Sequence, residues 1–276
     1  GLGVDGPSDV LWLGASVSDW IGHRFGPRSH EMEAHHLELD HIIGDFLGYL
    51  DQRFPDGDYL VVLTSDHGAA DIPESRADAG RIDGTGAATR FLAELEREGT
   101  CPRGAYELSI YYGLNLLPKE PAKAPSAEAK ASCLEGLAKK IRTQSWALEV
   151  LTPAQLSAPE SREDSPFAIA AKRSHYPGRS AELAIRLPEN HLFKRGYTTG
   201  TTHGSAYTYD QRVPLLIYSP RLTAGIRTEP VLSVDLAPTL AHLLDTPIPE
   251  DLAGEPIASL LADFASLGWS KPPTKQ

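Results

Sequence analysis

The sequence predicts an α/β protein: a mainly parallel sheet flanked by helices, with a small α+β insertion. Three observations lead there. Two apolar runs, Tyr59 to Leu63 and Val213 to Tyr218, have strand length, and the first lacks polar alternation, as in a strand covered on both faces. Helical segments lie between the strand-like runs, the alternation that gives layered α/β folds. Finally, two of the three runs able to do chemistry, those of Asp19 with His23 and of Asp66 with His67, follow directly after strand-like runs, where ligands gather in such sheets.

In chain order, Asp9 to Gly14 reads as a short buried strand ending in a small-residue turn. Ser29 to Arg53 has helical periodicity, with Leu37, Ile42, Ile43, Phe46, Leu47 and Leu50 on one broad face. Ser29 caps its start, and Pro55 with Gly57 stops it. Asp58 to Ser65 reads as a strand buried on both faces. A loop rich in Gly, Asp and Pro runs to Gly86, and a helix over Ala87 to Arg97 leads to a strand at Tyr106 to Tyr112. The Pro/Ala/Lys stretch from Lys119 to Ser126 marks an internal boundary. A helix over Ala127 to Thr143 follows, then a strand at Trp146 to Leu151. Two more strands, Phe167 to Ser174 and Glu182 to Leu187, flank the turn Tyr176-Pro177-Gly178-Arg179. Val213 to Tyr218 resumes the main sheet, and a last helix runs from Ser233 to Leu244. Residues 1–118 and 191–276 thus read as the core, and 119–190 as the insertion.

Composition narrows the function. A length of 276 residues fills one large α/β domain or two modest ones. The 22 prolines and 24 glycines are dispersed, which indicates a loop-rich globular chain rather than a fibre. A net charge of −11, from 26 basic and 37 acidic residues, argues against a nucleic-acid or anionic-membrane surface. An anionic substrate would need local positive charge, which bound metal ions supply. No apolar stretch approaches the roughly 20 residues of a membrane helix. Gly1 to Val10 has neither the basic start nor the apolar core of a secretory signal. Cys101 and Cys133 permit one disulfide without requiring it.

Three short constellations carry chemistry. In Ser18-Asp19-Trp20-Ile21-Gly22-His23, Asp19 and His23 stand four apart and share a face if the segment is helical. A carboxylate oxygen and an imidazole nitrogen suit one metal ion, although such a pair alone is more often a solvated helix pair. In Thr64-Ser65-Asp66-His67-Gly68, a sharp turn ending in Gly lets Asp66 and His67 reach one metal; an ordinary polar turn explains the run equally well. In Gly200-Thr201-Thr202-His203-Gly204-Ser205, His203 lies between small residues, as a ligand on a tight loop does, though a lone loop His is more often a surface residue. His30, His35, His36 and His41 crowd one helix beside Glu31, Glu33, Glu38 and Asp40, and read as a solvated face. Arg24 and Arg28 read as surface charges. Trp12 and Trp20 read as packing, and Asp235 as a helix residue near the core.

Together with their flanks, these runs resemble one family. Ser18 to Pro27, Leu63 to Gly68 followed by Asp71-Ile72-Pro73-Glu74, and Gly200 to Ser205 with Tyr209-Asp210 and Val213-Pro214-Leu215 are similar to the metal-binding stretches of secreted bacterial alkaline phosphatases. These belong to the phosphodiesterase and nucleotide pyrophosphatase branch of the alkaline phosphatase superfamily. Arg179 to Leu183 and Val234 to Leu240 also match, so the resemblance spans roughly residues 9 to 262. It implies hydrolysis of small phosphate monoesters by two zinc ions through a phosphoryl-enzyme intermediate. A phosphodiesterase or nucleotide pyrophosphatase, or an inactive metal-binding fragment, is the alternative. Carried over, Asp19, His23 and His203 hold one zinc, and Asp66 with His67 the other. The family's Thr or Ser nucleophile and one further Asp match no stretch here, so the resemblance places them before Gly1, in an N-terminal portion or complementary chain. It also implies a periplasmic or secreted protein.

Overall fold

The computed structural model describes residues 3, 8–110, 113–194 and 199–268. Its elements, in order, are α1 (Val17–Phe25), α2 (His30–Arg53), β1 (Val61–Thr64), β2 (Gly80–Ile82), α3 (Gly84–Arg97), β3 (Tyr106–Ile110), β4 (Leu114–Pro118), α4 (Ala127–Arg142), β5 (Glu149–Leu151), α5 (Pro153–Leu156), α6 (Pro166–Ser174), β6 (Ala184–Arg186), β7 (His191–Phe193), α7 (Thr208–Gln211), β8 (Leu215–Tyr218), α8 (Leu236–Leu243) and α9 (Ala258–Ser266). Helices and short strands alternate, a mixed α/β architecture. Among the described residues the strands join in pairs: β1 with β8, β2 with β7 in parallel, and β3 with β4 and β5 with β6 antiparallel. By contact the chain falls into two compact units, 16–39 with 64–214, and 1–15 with 40–63 and 215–276.

The first unit holds the larger core. α3 and α4 pack over the β3–β4 hairpin, burying Leu92, Leu95, Leu116, Leu134, Leu137 and Ile141. Local signals set the helix starts. Asp83 accepts from the Gly86 N–H at 2.9 Å, so α3 begins at Gly84, three residues before the sequence suggests. Ser126 caps α4 in the same way. Cys101, just past α3, and Cys133, on α4, form a disulfide within this core, so the one pairing the sequence permits is made.

In the second unit, α8 and α9 bury Thr239, Leu260 and Phe264. Thr239 joins two segments: its hydroxyl donates to the Asp235 carbonyl and accepts from the Ile257 N–H. Asp235 does local work as well, accepting from the Leu232 and Glu255 N–H groups.

Several expectations are corrected. Asp9 to Gly14 is not a strand, and Val10, Leu11, Trp12 and Leu13 are all more than half exposed. A strand forms only against a neighbour, and no described residue pairs with this run. For the same reason the two-stranded β1–β8 sheet leaves Leu63 and Leu216 exposed, and Leu37 and Ile42 on α2 lie open. Trp12 and Trp20, read as packing, are 84% and 76% exposed. Phe167 to Ser174 is helical rather than extended. Ser165 caps α6 through the Ala168 N–H, Pro166 takes the first position, and the alanines that follow favour helix. The sequence patterns also gave no sign of β2, which falls in the expected loop up to Gly86, or of β4, β7, α5, α7 and α9. In the strand expected at Tyr106 to Tyr112, residues 111 and 112 lie outside the described set.

Candidate metal centre

The ligand-type residues sit on α1 and on two loops of one unit. α1 places Asp19 and His23 on one face, with His23 Nε2 3.4 Å from Asp19 Oδ1. The loop carrying His203 is fixed against the end of α1 by its backbone. The Thr201 N–H donates to the His23 carbonyl at 2.9 Å, and His23 Nδ1 lies 2.8 Å from the Thr201 carbonyl oxygen. Gly200 makes this approach possible: its φ is +88°, and a Cβ there would run into the His23 carbonyl oxygen. The Arg81 guanidinium grips Glu74 through two nitrogens and also donates to the Gly200 carbonyl at 2.6 Å. That pairing holds the Glu74 carboxyl below its ordinary range.

Asp66 and His67 follow β1 on a turn that Asp210 ties to the His203 loop. The Gly68 N–H donates to the Asp210 carbonyl at 2.7 Å, and Asp210 Oδ2 accepts from the Ser205 N–H at 2.7 Å. Asp210 is 5% exposed, and burial raises its carboxyl pKa. A Cβ on Gly68 would collide with the Tyr209 carbonyl oxygen, so only glycine fits at this crossing. Thr201 adds a further tie through its hydroxyl, which donates to the Ala70 carbonyl.

These constraints gather three imidazoles around one carboxylate. Asp19 Oδ1 lies 3.4 Å from Nε2 of His23 and 3.8 Å from Nε2 of both His67 and His203. The His67 and His203 rings stack at 3.3 Å, and the His23 ring is 5.1 Å from that of His203. Ligand atoms of Asp19, His23 and His203 all fall within 4.8 Å of one another. Asp66 stands apart: its side chain is 87% exposed, and its Oδ2 lies 3.6 Å from His67 Nε2.

The donor set fits zinc. Two ligand atoms bound about 2.0–2.1 Å from a tetrahedral ion stand roughly 3.4 Å apart, and one carboxylate with two imidazoles leaves a position for substrate. The Nδ1–H of His23 donates to a backbone carbonyl, which directs the ring's lone pair outward at Nε2. Burial, with His67 and His23 alongside, pushes the His203 pKa below its ordinary value, which favours the neutral imidazole that metal binding requires. His30, His36 and His41 are exposed, as on a solvated helix face, whereas His35 is half-buried and hydrogen-bonds Ser18 of α1. Arg28 pairs with Asp71 at the surface. Arg81, Glu74, Thr201 and Asp210 escaped the sequence reading as site residues, because their part is to join segments more than 100 residues apart or to pin loop backbone.

The fold is that of the alkaline phosphatase superfamily. The crystal structure of the alkaline phosphatase PafA superposes with a TM-score of 0.71 at 26% identity, over 87% of this chain and 45% of that one. Human ectonucleotide pyrophosphatase / phosphodiesterase 5 shares the fold at 19% identity, with a TM-score of 0.56 over 90% of this chain and 56% of that one. The chain belongs to the Type I phosphodiesterase / nucleotide pyrophosphatase family, whose profile matches residues 5–206. Among curated relatives it is 26% identical to alkaline phosphatase PafA of Elizabethkingia meningoseptica, over 94% of this chain and 47% of that protein. It is 30% identical to alkaline phosphatase PhoK of a Sphingomonas species, over 91% and 46%. The chain therefore spans about half the length of the curated relatives it matches.

Proposed function

We propose that the whole protein is a two-zinc phosphate monoesterase, with Asp19, His23 and His203 holding one ion and Asp66 with His67 contributing to the other. The observation that carries this reading is the convergence of three imidazoles on Asp19 Oδ1. When bound, the ions supply positive charge for the attacking and leaving oxygens of an in-line displacement. The chain's own residues do the positioning. His23 keeps one tautomer through Thr201, and Asp210 holds the turn of Asp66 and His67 against the loop of His203. A Thr or Ser nucleophile, to carry the phosphoryl group covalently, and one further Asp ligand would come from an N-terminal portion or complementary chain. Such a portion would also cover the exposed run Val10 to Leu13. A periplasmic or extracellular location suits the buried disulfide, since such bonds persist in oxidising compartments.

Zinc content tests the reading. Dialysed protein should retain zinc, and His203→Ala should weaken one site far more than the other. The loss should exceed the roughly 10–100-fold typical of removing a hydrogen bond that supports a ligand. Elemental analysis finding no divalent ion, with or without added zinc, would sink the assignment.

A diesterase on the same scaffold is the second reading, favoured by the family description that matches residues 5–206. In the full-length protein, p-nitrophenyl phosphate should be cleaved faster than its bis ester at alkaline pH. A large opposite ratio of kcat/KM would move the protein to the diesterases.

A further inference from the structure

Beside the metal cluster lies a cavity of about 320 Å³, at the small end of the roughly 300–1,000 Å³ of ligand clefts. The loop from Thr202 to Tyr207, including His203, forms one side, and α6, β6 and β7 the other. Phe167, Leu187, Leu192, Phe193 and Tyr207 make its wall largely apolar. We infer that this cavity receives the alcohol portion of a phosphate ester, and that it is shaped for a flat apolar ring such as an aryl group. The inference rests on the phosphoesterase reading above.

Three features support it. First, the cavity shares His203 with the metal cluster, so a phosphoryl group held there would have its ester substituent at the cavity mouth. Second, the aromatic wall is fixed before any ligand arrives. Phe193 lies edge-on to Trp146, with ring centroids 6.1 Å apart, and its strand β7 pairs with β2. Gly84 makes room for it, since a Cβ there would run into the Phe193 ring. The Tyr207 hydroxyl donates to the Leu187 carbonyl at 2.7 Å, which holds that ring across the cavity. Rigid aromatic faces stack on flat rings at little entropic cost. Third, the polar side chains of the lining, Arg186, His191, Thr202, His203 and Ser205, are set among a larger apolar surface. Thr202 lines the cavity, but its Oγ1 is buried with no hydrogen-bond partner and presents no accessible donor to a ligand. Arg186, also in the lining, has its Nε 3.8 Å from Glu149, beyond hydrogen-bond reach, and that buried Nε has no hydrogen-bond partner.

Binding of 1-naphthol, a leaving group without its phosphate, tests the cavity apart from turnover. Titrated into the 276-residue chain and followed by its fluorescence, naphthol should bind one saturable site. Phe193→Ala should weaken binding about tenfold, the loss of one aromatic contact. Ala206→Trp, which fills the cavity from the opposite wall, should block it. Cobalt(II) at the metal cluster should broaden the proton resonances of bound naphthol, and Asp19→Ala, which lies outside the cavity lining, should remove that broadening while naphthol still binds. If naphthol fails to bind, or binds with neither cavity variant affecting it, the inference is overturned while zinc retention still judges the metal centre. If naphthol binds in the cavity but cobalt, shown to occupy its site, leaves it sharp, the leaving-group role is overturned.

Discussion

Assayed by itself, the 276-residue chain should hydrolyse p-nitrophenyl phosphate on the order of 10⁴-fold or more below the same chain supplied with an N-terminal portion carrying a Thr or Ser and an Asp. Nucleophilic catalysis splits one difficult displacement into two easier ones, and it needs an oxygen held ready for in-line attack. Four of the described hydroxyls near the cluster are turned to other tasks. Ser18 Oγ hydrogen-bonds His35 at 2.8 Å, and Ser65 Oγ donates to the His67 carbonyl at 2.7 Å. Thr64 Oγ1 donates to the Pro214 carbonyl at 2.9 Å, and Thr201 Oγ1 to that of Ala70. Thr202 Oγ1 has no such partner but is buried in the cavity lining. Asp66 and His67 alone would also hold a second ion weakly, since Asp66 is largely solvated. Full turnover by the chain alone would refute this account. If that turnover vanished in Thr202→Ala, the nucleophile would be Thr202.

Opening the Cys101–Cys133 bond should cost about 3–4 kcal/mol, the loop-closure entropy expected for a separation of 32 residues. For a unit of this size, that corresponds to a fall of roughly 10 °C in the melting temperature. The double variant Cys101→Ala/Cys133→Ala should show the full shift. Reductant should produce a similar shift in the wild type and none in the variant. The cost is structural because the bond ties α4 to the chain just after α3, within the cluster that also buries Leu95, Leu134 and Leu137. Cys101 and Cys133 are 2% and 0% exposed, so truncation also leaves unfilled volume. Melting curves that coincide with and without reductant, for protein verified as oxidised at the start, would remove the bond from the stability of this unit.

Helices with strong local signals were legible in advance. Ser29, Pro55 and Gly57 bracket α2, and Ser126 sets the start of α4, because caps and breakers act within a few residues. The same local signals were present at Ser165-Pro166, but the apolar run Phe167 to Ala171 drew a strand reading that the cap overrules. Strands were harder, because pairing is decided by a distant partner. β7 was missed since its place depends on β2, more than 100 residues earlier. Asp9 to Gly14 has a strand's composition and, among the described residues, no neighbour to make it one.

Residue types suited to metal ligation are legible in the sequence alone: Asp19 and His23 one helical turn apart, Asp66-His67-Gly68 after a strand, and His203 between small residues. These are short-range patterns, and their residue types limit what they can bind. Tertiary structure alone decided that His23, His67 and His203 converge on one oxygen of Asp19 while Asp66 stays largely in solvent. It also decided that Asp210 and Thr201 do the joining, and that Phe167, Phe193 and Tyr207 meet around a cavity. Those contacts link residues far apart in the chain. They form only when backbone hydrogen bonds and close approaches, such as Gly200 against His23, leave the loops a single way to pack.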